Sequence, residues 1–202
     1  VDFSRVAIKG RGAAGNTVTK YAVTGKVDLK SEGSSTLGAR KVWFDESVRR
    51  LNGEGRGRLL GAFGPDDRML LVMATGAYEL VKPEMSVHFP DDMIFLDKWH
   101  RDRALTVAHL DGEKKAVYVK RFVAESSTKT VSFIREEEGS KMLLFTDHGA
   151  PIVKCKAKDL GEQRFSLNEF IAIKGVKARG KRLSTDARAK VTLEAVSYTH
   201  LT

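Results

Sequence analysis

Met69-Leu70-Leu71-Val72-Met73-Ala74-Thr75-Gly76-Ala77 returns as Met142-Leu143-Leu144-Phe145-Thr146-Asp147-His148-Gly149-Ala150, with the Met-Leu-Leu and Gly-Ala ends kept. Gly112 falls between them, so Gly76, Gly112 and Gly149 recur 36 and 37 residues apart, each after one apolar run and before the next. A longer echo frames the array. Val6-Ala7-Ile8-Lys9-Gly10 comes back as Ile171-Ala172-Ile173-Lys174-Gly175, and Lys26-Val27-Asp28-Leu29 as Lys190-Val191-Thr192-Leu193. Repeats of roughly 40 residues built on a β-hairpin mark a propeller-like or solenoid array, in which no unit buries its apolar face alone.

Strand grammar runs through the rest of the chain. Apolar runs are short, alternating or β-branched, and bounded by Gly, Pro, Asp or Ser. The expected strands are Arg5–Lys9, Thr17–Val23, Lys41–Phe44, Val48–Leu51, Arg58–Phe63, Met69–Met73, Tyr78–Val81, Met93–Leu96, Leu105–His109, Ala116–Phe122, Thr130–Ile134, Met142–Phe145, Ile152–Ala157 and Glu169–Lys174. No window keeps a helical period. The expected fold is therefore all-β, in one domain over residues 1–196, with residues 197–202 a tail foreign to the pattern. In the segment Val153–Lys158, Lys154, Lys156 and Lys158 alternate with apolar residues and point one way. Such lysines protect an edge strand from aggregation or meet phosphates.

With 202 residues, 42% of them hydrophobic, the chain is long enough to bury a sizeable core. No run approaches the ~18 apolar residues that span a bilayer, and the N-terminus lacks signal-peptide order, so a cytoplasmic location is expected. Cys155 stands alone, which excludes an internal disulfide and a multi-cysteine zinc site.

The net charge of +9 lies at the two ends. Lys and Arg against Asp and Glu number 12 to 7 over residues 1–66, 10 to 10 over 67–133 and 13 to 9 over 134–202. A circular array would bring both basic ends to one sector, the footprint of a polyanion-binding surface. Gly10-Arg11-Gly12-Ala13-Ala14-Gly15 spells GxGxxG, but a β-branched run follows it where a dinucleotide site needs a helix. Its siblings Gly55-Arg56-Gly57 and Ala178-Arg179-Gly180 suggest another use, since small neighbours admit a bulky ligand and the arginine forks onto phosphate oxygens. The candidate phosphate contacts are Lys9, Arg11, Lys20, Arg49, Arg50, Arg56, Arg58, Lys174, Lys177, Arg179, Lys181 and Arg182. The histidines show no metal-ligand spacing, Asp91-Asp92 reads as a turn, and no catalytic constellation stands out, so neither catalytic nor metal residues are expected.

The residues Ala7-Ile8-Lys9-Gly10-Arg11 with Gly15-Asn16 and Thr19-Lys20-Tyr21, and Ser35–Asp45, resemble the C-terminal domain of the A subunit of bacterial type IIA DNA topoisomerases, topoisomerase IV and gyrase. Arg50-Leu51-Asn52, Gly55-Arg56-Gly57, His88-Phe89, Tyr118–Phe122 and Lys177–Leu183 extend the resemblance over residues 3–184. It implies a β-pinwheel, a ring of four-stranded blades, about four in this chain, that binds and bends duplex DNA. The partners it implies are duplex DNA, the remainder of the A subunit and the ATPase B subunit, in the bacterial cytoplasm at the nucleoid and away from membranes. The cleavage tyrosine, ATP and Mg would belong to other regions, leaving this domain non-catalytic and without a cofactor. The glutamine-led Arg/Gly box of the gyrase type is missing, which favours the topoisomerase IV type. The rival reading is a protein-binding β-propeller whose charge serves solubility.

Overall fold

The structure, a computed structural model, describes residues 10–14 and 38–194. The chain divides into two compact units, Val1–Thr36 and Leu37–Thr202. In the first, the described residues form one exposed turn in which Ala13 N–H donates to the Gly10 carbonyl at 3.0 Å. The expected strands Arg5–Lys9 and Thr17–Val23, the Lys26–Leu29 echo and the 197–202 tail lie outside the described residues.

The second unit is built from four antiparallel sheets, none closed as a barrel. The first has β1 (Arg40–Asp45) between β2 (Arg50–Asn52) and β3 (Arg58–Phe63). The second runs β6 (Met93–Lys98), β4 (Met69–Met73), β5 (Ala77–Val81), β9 (Val131–Ser132). The third runs β10 (Lys141–Thr146), β7 (Ala104–Asp111), β8 (Ala116–Val123), β13 (Lys181–Ser184). The fourth has β11 (Ile152–Ala157) between β12 (Gly161–Ser166) and β14 (Lys190–Leu193).

One plan generates all four. A hairpin forms, and a later strand returns beside the hairpin's first strand: β3 beside β1, β6 beside β4, β10 beside β7, β14 beside β11. In the second, third and fourth sheets the chain visits the preceding sheet between hairpin and return. The 82–92 connection bridges Arg50 of β2 through His88, the 124–140 connection delivers β9 to β5, and the 167–189 connection delivers β13 to β8. Each visit satisfies backbone groups that the preceding hairpin would otherwise leave unpaired.

The sheets pack face to face in chain order. Val42, Phe44 and Phe63 of the first meet Met69, Leu71 and Leu96 of the second. The other face of β4, Leu70 and Val72, meets Leu105, Val107 and Phe122 of the third. Ala108, Val117 and Val119 then meet Val153, Cys155 and Val191 of the fourth. Strands β4 and β7 are thus buried on both faces, which is why neither alternates buried with exposed residues, although β7 buries Thr106, His109 and Asp111 among its apolar ones.

The repeat is real, but its period differs from the glycine spacing. Gly76 and Gly112 sit in hairpin turns, whereas Gly149 lies in the connection from β10 to β11, which belong to different sheets. Met142-Leu143-Leu144 lies on a returning strand and Met69-Leu70-Leu71 on the first strand of a hairpin, neighbours in the sheet plan with the same need for apolar residues. The equivalent strands start at residues 40, 69, 104 and 152, intervals of 29, 35 and 48. The connections to the preceding sheet lengthen along the chain and stretch the unit.

The expected strand Glu169–Lys174 is also corrected. Leu167–Phe170 makes one helical turn, α1, and beyond it Ile173 alone bridges a strand, Arg121 of β8. Buried Leu167 and Ile171, four residues apart, anchor that turn in the core.

Two glycines carry the arginine loops into their strands. Gly57 (φ +84°) precedes β3 and Gly180 (φ +101°) precedes β13, and a Cβ on either would overlap the neighbouring carbonyl oxygen, of Phe44 and Val119 respectively. Gly180→Ala is therefore expected to lower stability by about 2 kcal/mol or more, since both backbone strain and a clash oppose it. Gly53→Ala, in open space, should shift the urea midpoint by little, and equal midpoints for the two variants would show that the Val119 approach is unimportant.

Candidate nucleic-acid interface

Strand β8 reads Ala116-Val117-Tyr118-Val119-Lys120-Arg121-Phe122-Val123, two cations inside an apolar run. Both are buried, Lys120 at 3% exposure and Arg121 at 6%. Neither finds a carboxylate among the described residues. Lys120 Nζ instead donates to the carbonyls of Val176 (2.7 Å) and Ala178 (3.0 Å), and Arg121 donates to Gly149 O at 2.9 Å. The Arg121 carbonyl accepts from Lys174 N–H at 2.9 Å. The Lys120 bonds and the Arg121 carbonyl fasten residues 174–178 along β8, the Arg121 guanidinium holds the β10–β11 connection, and Gly180 then turns the chain into β13.

The fastened segment is the most basic in the chain. Lys174, Lys177 and Arg182 are exposed and pair with no carboxylate among the described residues. Lys181 is exposed too, its ammonium 3.9 Å from the Phe170 ring centroid and donating to Phe170 O. Arg179 behaves differently. Its Nε lies 3.0 Å from Asp111 Oδ2, with the N–H not aligned on that oxygen, and its other nitrogen donates to Glu113 at 3.0 Å. Asp111 is 1% exposed, so Arg179 is the cation that neutralises a buried carboxylate.

The remaining expected contacts scatter over other elements. Arg56, in Gly55-Arg56-Gly57, has a side chain 66% exposed and pairs, among the described residues, only with Glu54 at 3.0 Å, while Asn52 brackets its backbone on both sides. Arg50 is exposed at the start of β2. Arg58 donates to Leu96 O at 2.7 Å, tying β3 to β6. Arg49, at φ 51°, is held by the Phe89 and Pro90 carbonyls and lies 3.5 Å from Asp91. Arg11 is exposed in the first unit's turn; Lys9 and Lys20 lie outside the described residues. The two arginine loops of the second unit are not equivalent positions: one enters a returning strand, the other a strand delivered to the preceding sheet.

Beside the basic segment lies a cavity of about 520 Å³ lined by His109, Lys120, Arg135, Glu137, Lys177 and Arg179. Burial chiefly, with Lys120 and Arg179 adding to it and Asp111 opposing, pushes His109 down to about 4, so it is neutral at pH 7. Oxygens of Asp111, Glu113 and Glu137 come within 4.8 Å of one another, but Arg179, Arg135 and Lys114 already lie on them. The Lys114 hydrogen bond foremost holds Glu113 below its usual range. Arg135 and Glu113 were not legible as site residues; nothing in the local sequence marks a pair 22 residues apart.

Burial, with Lys177 adding to it, pushes Lys120 down to about 8 from 10.5. The charged form is penalised in the folded state, so the penalty persists below pH 8 and is relieved as pH rises through 8 toward 10.5, where the unfolded chain binds the extra proton. Relative to Lys120→Met, the natural protein should therefore gain stability between pH 7 and pH 9.5 in urea unfolding. A stability difference that is flat over this range would overturn that assignment.

No curated protein matches the chain. A family description does: residues 50–195 match the model of the topoisomerase C-terminal domain of Bacteroidota, which takes in three of the four sheets and most of the first. With the sheet repeat and the basic segment inside the matched range, the chain belongs to this family of topoisomerase C-terminal domains.

Proposed function

We propose that this domain binds and bends duplex DNA within the A subunit of a type IIA topoisomerase of the topoisomerase IV type. It does so without chemistry of its own, holding the DNA segment to be transported while the B subunit supplies ATP hydrolysis. The reading includes a bacterial cytoplasmic location and a pinwheel in which the face-to-face sheets continue into a ring. The observation that carries it is the anchored basic segment. Lys174 and Lys177 stand exposed on a backbone that the buried Lys120 ammonium and the Arg121 carbonyl hold from beneath, and Arg182 stands exposed on β13 just beyond it. Family membership in a topoisomerase domain and the net charge of +9 support the same conclusion.

Cations fixed on a rigid backbone lose little freedom when they meet phosphates, and each phosphate neutralised releases condensed counterions. Exposed Arg11, Arg50 and Arg56 belong to the same proposal, with Lys9 and Lys20. Such contacts position a duplex without reading its bases, so unrelated sequences should bind alike. Arg49, Arg58 and Arg179 are proposed as supports rather than free contacts, because carbonyls or carboxylates of the protein already occupy them.

Binding to a duplex of roughly 40 base pairs should show a log–log salt slope of about −5 or steeper, equal for two unrelated sequences. No binding at low salt would sink the proposal and leave a protein-binding propeller as the better account. Lys177→Ala with Arg182→Ala should make the slope shallower by about 2 units without moving the unfolding midpoint. Arg179→Ala should instead cost about 3 kcal/mol of stability by stranding Asp111. An Arg179→Ala protein of unchanged midpoint but weaker DNA binding would return Arg179 to the contacts.

A further inference from the structure

The fourth sheet meets the third through an apolar face, and its opposite face is of another kind. The alternation on β11 puts Val153, Cys155 and Ala157 into the core and Lys154 and Lys156 on the opposite face. The registers extend that face across the sheet. Lys154 stands opposite Arg164 of β12 and Thr192 of β14, and Lys156 opposite Glu162 of β12 and Lys190 of β14. Strand β11 is the central strand here, with partners on both sides, so its lysines do not serve to protect an edge.

Two like-charged pairs therefore face each other directly across the ladder, an arrangement that destabilises a sheet unless something lies between the charges. For Lys154 and Arg164 something does: Glu194 lies 3.4 Å from the first and 2.6 Å from the second. For Lys156 and Lys190 nothing does. Both are exposed, and neither has a carboxylate within ion-pair distance among the described residues, Glu162 included. Among the described residues there is one counter-anion for the Lys154–Arg164 pair and none for the Lys156–Lys190 pair.

We infer that the outer face of the β12-β11-β14 sheet is a second seat for the duplex backbone, with a phosphate between Lys156 and Lys190. Thr192 lies two residue pairs along the same ladder, the next position on that face, and offers a hydroxyl donor to an adjoining phosphate oxygen. Lys154 and Arg164, balanced by Glu194, flank the seat. This rests on the DNA-binding reading above and adds to it a face that shares no residue with the basic segment.

The test is fluorescence anisotropy of the whole chain with the same duplex over a salt series, comparing Lys156→Gln with Lys190→Gln against the exposed Lys141→Gln on β10. The double variant should make the slope shallower by about 0.9 units, the one phosphate held between the two lysines, while the control leaves it unchanged. Its unfolding midpoint should stay level or rise, because the like-charge opposition is gone. If the natural chain binds steeply and the double variant binds with the same slope and affinity, the second seat is wrong and the DNA reading survives. If the natural chain binds no duplex at all, both fall. Binding that depends on these lysines for anionic vesicles and not for duplex DNA would likewise overturn the proposed partner.

Discussion

Each of the first three sheets in this protein depends on a strand or bridge delivered from further along the chain. The second strand of a hairpin, β5 or β8, presents unpaired backbone groups, and the connection after the next hairpin covers them. Because the sheets also share their apolar faces, β4 and β7 are held from both sides and along both edges. Packing and hydrogen bonding therefore link neighbours by two independent routes, which favours cooperative behaviour in a repeat array.

The same constraint shapes the basic segment. Residues 174–182 lie where they do because β13 must reach β8, and the approach runs over Lys120 and Arg121. A lysine and an arginine in the interior are costly unless their protons are bonded. Here the acceptors are main-chain carbonyls rather than carboxylates, so anchoring the segment leaves its own cations unneutralised. Arg179 is the exception, drawn back by Asp111 and Glu113.

Much of this was legible in the sequence. Arg58–Phe63, Met69–Met73 and Ile152–Ala157 form strands with the expected ends, since each is a clean apolar or alternating run. Strands β12 and β13 escaped notice because Gly161–Ser166 buries only part of Phe165, and Lys181–Ser184 opens with two cations. Pairing, not burial, makes these segments strands. The arginine loops were visible as motifs, but their partners were not: Arg56 meets Glu54 nearby, whereas Arg179 meets acids 66 and 68 residues away. Local composition shows where charge is placed, and only the topology shows which of it is already neutralised.

The offset between chain order and sheet order has a consequence for how such a domain can gain or lose units. A cut between two sheets is a cut through a shared structure, because the strand completing the earlier sheet lies downstream of the later hairpin. The segment that can be duplicated or removed without leaving an open edge runs from one delivered strand to the next, half a sheet out of step with the visible architecture. Recombination that respects that boundary preserves every ladder, and the lengthening connections, from 82–92 to 167–189, are where such a unit tolerates added sequence.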